Sequence, residues 1–131
     1  MNIENVLRFQ DQAERYLQIK DPDRKTKLAY AITRVSKECQ RVVSHYLRDL
    51  EDLRVKHCMA DSDGAIRRDA NANFVFTKDG LNALNAAHRE LLQKEITDFD
   101  PYFATDLPDN LSEQWRAEFE GFVIRENHDS T

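Results

Sequence analysis

Residues 23 to 60 contain neither glycine nor proline, and within them Leu28, Ile32, Val35, Cys39, Val42, Tyr46, Leu50, Leu53 and His57 recur at steps of three and four. Apolar side chains at that spacing share one face of an α-helix, so the stretch predicts a single long amphipathic helix. At about 1.5 Å per residue, some 35 helical residues reach roughly 50 Å. The consecutive fours from Val42 through Tyr46 to Leu50 relax a seven-residue period toward an eleven-residue one, so any supercoil straightens there. A rod of this length needs cover along its whole apolar seam, and the rest of the chain must supply it.

The first candidate for cover precedes the rod. Ile3, Val6, Leu7, Ala13, Tyr16 and Leu17 mark a helix over 3–19, interrupted by Gln10. Lys20-Asp21-Pro22-Asp23 then reads as a stop and restart, with Asp21 as N-cap and Pro22 at the first helical position, where its missing N–H costs nothing. Helices joined by so short a turn fold back as an antiparallel hairpin, here residues 1–59. The first helix reaches only half of the rod. A third amphipathic helix, from the N-cap Thr77 through Leu81, Leu84, His88, Leu91 and Leu92 to about Glu95, is expected to cover the remainder.

Between rod and third helix the chain changes character. Asp61-Ser62-Asp63-Gly64 is a turn cluster, and Ala65-Ile66-Arg67-Arg68 and Asn73-Phe74-Val75-Phe76 flank Asp69-Ala70-Asn71-Ala72, which predicts a small β-hairpin. Such a pair is barely stable alone and has to lean on a helix or gain a strand. Further on, Ile96-Thr97-Asp98-Phe99 and Phe122-Val123-Ile124 read as short strands, and Asn110 followed by Glu113 resembles a capping box for a short helix bearing Leu111, Trp115 and Phe119. The expected fold class is therefore α+β, predominantly helical: a long antiparallel helical hairpin with a small β-hairpin or sheet and two shorter helices. At 131 residues, with 40% apolar and 33% charged residues, the chain fits one domain over 1–126, its smaller α/β part at 60–126 and a mobile tail at 127–131. Three glycines and three prolines are too few for a turn-rich β-sandwich. No internal repeat is evident.

Charge is unevenly spread. Net charge is −1 over residues 1–22, +5 over 23–48, −1 over 49–94 and −8 over 95–131. Lys27, Arg34, Arg41 and Arg48 recur every seven residues and form a stripe away from the apolar seam. The plainest reading is a solvated face. The stripe also suits an acidic surface, in this chain or in a partner, or a phosphate backbone. Against nucleic acid stand the acidic balance of the chain and the lack of an aromatic interleaved with the stripe. A second partner-binding candidate is the aromatic concentration of the acidic third, represented by Tyr102, Phe103 and Trp115, which core packing would equally explain.

Residues for catalysis or metal binding are not assembled by the pattern. Asp61, Asp63 and Gly64 imitate the middle of a calcium loop, but alignment on Gly64 puts Met59 at the first ligand position and Ala70 at the twelfth. His45, His57, His88 and His128 do not pair at helical metal spacing, and Cys39 and Cys58, nineteen residues apart, form no CxxC. His57 and His88 occupy seam positions and are expected to line the helix contact. Cys58 adjoins His57, yet neighbouring helix residues point about 100° apart and cannot act on each other. A straight helix would hold the two thiols about 28 Å apart, too far for a disulfide. No enzyme, cofactor or metal is expected. No apolar run approaches the roughly 20 residues that span a bilayer, and no secretory start is visible at Met1-Asn2-Ile3-Glu4-Asn5.

The order of Leu28 to Leu53, Asp61-Ser62-Asp63-Gly64, Phe74-Val75-Phe76, Leu91-Leu92-Gln93-Lys94-Glu95-Ile96 and Gly121-Phe122-Val123-Ile124 resembles an uncharacterised family of small phage and prophage proteins, over nearly the whole chain. The loop after Gly64 departs from that pattern, since Arg67-Arg68-Asp69 is not followed by the more usual second turn glycine. The family has no assigned activity, so no functional residue is carried over. The resemblance implies a phage-encoded accessory or structural protein acting through contacts with itself or with a phage or host protein, in the host cytoplasm or the virion. The alternative is a nucleic-acid-binding regulator using the basic stripe.

Overall fold

The computed structural model describes residues 1–19 and 26–125. Four helices follow in order: α1 (Ile3–Gln18), α2 (Thr26–His57), α3 (Lys78–Leu92) and α4 (Glu113–Phe119). The turn expected at Lys20 to Asp23 and the tail expected at 127–131 lie outside the described residues.

The rod forms as its spacing demands, with Leu28, Ile32, Val35, Cys39, Val42, Tyr46 and Leu50 all buried. Helix α1 packs along it, and Ile3 lines the same groove as Val42 and Tyr46. A parallel α1 would end roughly 48 Å from Thr26, whereas the seven residue steps from Ile19 to Thr26 span at most about 25 Å, so the two helices run antiparallel. A reciprocal cap starts α1: the Asn2 side chain accepts from the Asn5 N–H, and the Asn5 side chain accepts from the Asn2 N–H. The buried face of α1 centres on Phe9, a residue absent from the periodic set expected from the sequence.

Helix α3 covers the second half of α2, as the overhang required. Thr77 caps it by accepting from the Gly80 N–H at 2.9 Å. The Tyr46 hydroxyl and His88 Nε2 lie 2.6 Å apart and tie the middles of the two helices together. Short helix α4 is capped by Ser112, which accepts from the Trp115 N–H, and not by Asn110 as its spacing to Glu113 suggested. Phe119 of α4 is fully buried beside Phe9 and Tyr16.

The β part of the expectation is overturned: among the described residues there is no strand and no sheet, so the fold is helical and not α+β. Only isolated bridges occur, joining Ala60 to Ile66, Arg68 to Phe74, Asn2 to Glu95 and Glu120 to Ile124. The expected hairpin fails because residues 60–73 are exposed throughout, leaving no face to bury, which a two-stranded pair needs. Ile96 instead bonds singly to the Met1 carbonyl, and Phe122, Val123 and Ile124 turn back so that all three N–H groups reach the Phe119 carbonyl.

What replaces the hairpin is a repeat of eight residues that sequence reading had missed. Met59 donates to Val75 at 2.7 Å, Val75 to Arg67 at 3.2 Å and Arg67 to Met59 at 3.0 Å, closing a backbone triangle on positions eight apart. Two equivalent turns connect its corners. The Asp61 N–H bonds to the Ala65 carbonyl and the Gly64 N–H to the Asp61 carbonyl; likewise Asp69 donates to Asn73 and Ala72 to Asp69. The fourth residue of each turn has positive φ, +86° at Gly64 and +65° at Ala72. Ala72 thus occupies the place of the second turn glycine that this chain lacks. An L-residue there is crowded between Cβ and backbone, at about 1–2 kcal/mol, which outweighs the extra chain entropy of glycine. Ala72→Gly is expected to stabilise this segment by about 1 kcal/mol. Slower hydrogen exchange at the Met59, Arg67 and Val75 amides would register it, and faster exchange would refute it.

Candidate functional site

The four stripe residues meet different fates. Arg41 bonds to Glu38 at 2.5 Å and to Asp98 at 3.2 Å. These carboxylates raise the Arg41 pKa, first through the Glu38 hydrogen bond. Arg34 lays its guanidinium over the Tyr102 ring, 4.3 Å from the centroid. Lys27 and Arg48 are exposed, and neither forms an ion pair among the described residues. An acidic, aromatic segment of the chain's own C-terminal third therefore lies over the centre of the stripe, while its two ends stay open.

That segment is held from below. The Tyr102 N–H bonds to the Phe122 carbonyl at 3.1 Å, the Ala104 N–H bonds to the Val123 carbonyl at 2.8 Å, and Phe99 packs edge-on against Phe122. It is a fixed part of the surface, because peeling it away would expose the buried Phe122 and Val123.

The three aromatic candidates do not form one patch, since no ring contact among the described residues joins them. Trp115 stacks on Phe119 at 5.4 Å and meets Tyr16 edge-on at 5.4 Å, which makes it part of the α1–α4 packing. Phe103 lies under Arg125, with the guanidinium carbon 5.0 Å from the ring centroid. Tyr102 alone joins the basic stripe, where its ring meets Tyr30 at 5.7 Å in an edge-on contact. Tyr30 is the residue that sequence reasoning missed. It stands three residues after Lys27 and four before Arg34, so the stripe does have an interleaved aromatic, and helical spacing carried that signal.

The remaining candidates are accounted for by packing. His57 borders the groove between α2 and α3, and His88 is engaged by Tyr46. Burial, with Glu38 adding to it, pushes the Cys39 thiol up to about 12, which keeps it protonated and unreactive near neutral pH. The Cys58 thiol is turned onto the Val55 carbonyl at 3.3 Å. Among the described residues no cluster of three or more His, Cys, Asp or Glu is placed to hold a metal ion. Away from the stripe, Arg8 grips Glu118 with two hydrogen bonds of 2.6 and 2.8 Å, and the hydrogen bond and charge of Arg8 hold the Glu118 carboxyl below its usual range. This fork fastens α4 to α1.

No family model, curated protein or solved structure matches the chain.

Proposed function

We propose that the protein is a non-enzymatic, phage-encoded accessory or structural component that works through protein–protein contacts, as a homo-oligomer or on a phage or host partner in the host cytoplasm or the virion. The observation that carries this reading is the outer side of α2, where Leu47 is 54% and Val55 43% exposed two turns apart. Leu81, 44% exposed, begins α3 next to Gly80, against which the end of α2 packs. Single exposed apolar residues are ordinary; three toward one end of a helix pair supply the anchors around which an interface is built. Polar groups flank them, with Arg54 reaching Glu51 at 3.5 Å. None of the four described helices is long and apolar enough to cross a membrane.

Light-scattering mass after size exclusion, at two protein and two salt concentrations, tests the reading. A discrete assembly that survives high salt and falls to monomer in Leu47→Glu is the result expected of a self-contact. For a heterologous contact, a photo-cross-linking side chain at Leu47 yields one discrete protein adduct in producing cells. A strict monomer that also gives no adduct overturns the proposal.

A further inference from the structure

On the first half of α2, Lys27, Tyr30, Tyr102, Ala104 and Thr105 line a groove of about 320 Å³. Tyr30 leaves 57% of its surface in water, although a tyrosine ring usually contributes to a core. Lys27 stands one helical turn before it and Arg34 one turn after, both exposed. Among the described residues Arg34 is stacked on Tyr102 and pairs with no carboxylate, so its N–H edge remains able to donate. Tyr102 and the small residues Ala104 and Thr105 complete the lining of the groove.

We propose that this groove is a binding site for single-stranded nucleic acid, in which one base stacks on Tyr30 and the flanking phosphates meet Lys27 and Arg34. Stacking on an exposed aromatic needs no particular base, and two cations seven residues apart place charge about 10 Å apart along the helix, on either side of the ring. An acidic peptide would use the cations but leave the exposed tyrosine ring idle, so the combination favours a base. The net charge of −5 does not forbid binding, since at physiological ionic strength charges beyond about 8 Å are largely screened, and Glu38 and Asp98, the acids that meet the stripe, are both engaged by Arg41. This site goes beyond the protein-contact reading and lies roughly 25 Å along α2 from Leu47, so the two can be tested apart.

The test is fluorescence anisotropy of a labelled oligo-deoxythymidine with the full chain. At about 50 mM salt binding is expected, with a log–log salt slope near −1.4 for two phosphate contacts on a single strand. Tyr30→Ala is expected to weaken binding about tenfold, Tyr30→Trp to retain it, and Lys27→Gln to flatten the slope by about half. Gln40→Ala, exposed on α2 and outside the groove, leaves binding unchanged. Because Tyr30 and Lys27 are exposed, circular dichroism should show these variants folded. Absence of binding at about 50 mM salt, full affinity in Tyr30→Ala, or equally tight binding of oligo-glutamate would overturn the proposal, the last assigning the groove to an acidic peptide.

Discussion

Replacing Phe9 by alanine is expected to cost about 3–5 kcal/mol, the usual range for removing a fully buried aromatic ring. Phe9 is wholly inaccessible, stacks on Phe122 at 4.4 Å and meets Phe119 edge-on at 5.7 Å. One side chain thus joins α1, α4 and the turn that follows α4. Its removal takes away burial and two ring contacts and leaves a cavity between elements that cannot all close on it. Against a total stability of about 5–15 kcal/mol for a domain, the loss brings the variant near its unfolding threshold. Urea titration followed by fluorescence of Trp115, the chain's one tryptophan, reports directly on this packing, because the indole stacks on Phe119. A loss below about 1 kcal/mol would mean that α4 does not depend on this ring.

Gly80→Ala is expected to destabilise by about 1–3 kcal/mol, although glycine to alanine inside a helix ordinarily gains about 1 kcal/mol. The reversal comes from space. A Cβ at position 80 would stand 2.6 Å from the His57 carbonyl oxygen and 3.1 Å from the Thr77 hydroxyl. The first is backbone at the end of α2, the second is the cap of α3, and neither yields without cost. The glycine is therefore what lets α3 start against the last turn of α2. The same urea titration, with far-UV circular dichroism, separates the outcomes: a raised midpoint would mean that α2 and α3 stand further apart than described.

The site was legible in half. Lys27, Arg34, Arg41 and Arg48 could be placed on one stripe by counting sevens, because a helix converts sequence interval into direction without help from the rest of the fold. Tyr30 lies within that same count, three residues after Lys27. What counting could not supply is that Asp98, 57 residues after Arg41, would answer one arginine and Tyr102, 68 residues after Arg34, would lie beneath another. Nothing local to Asp98 or Tyr102 encodes that meeting. It follows from two backbone bonds to Phe122 and Val123 and from the packing of Phe99. The aromatic third misled for the same reason: Tyr102, Phe103 and Trp115 are near in sequence, but each is drawn to a different partner.

Local patterning was enough for α2, for the Thr77 cap of α3 and for the need to cover both halves of the rod, since these depend on side-chain period and on the unsatisfied N–H groups at a helix start. The β-hairpin was another matter. Period-two alternation with turn residues states a preference that becomes a ladder only where one face finds a surface to cover. Residues 60–73 find none, and their backbone groups settle instead into a triangle of single bonds closed by two tight turns. Helices close their hydrogen bonds within a few residues, so the sequence alone determined where they lie. Strand pairing, the partners of the basic stripe and the burial of Phe9 depend on distant groups arriving together, and only the tertiary structure decided them.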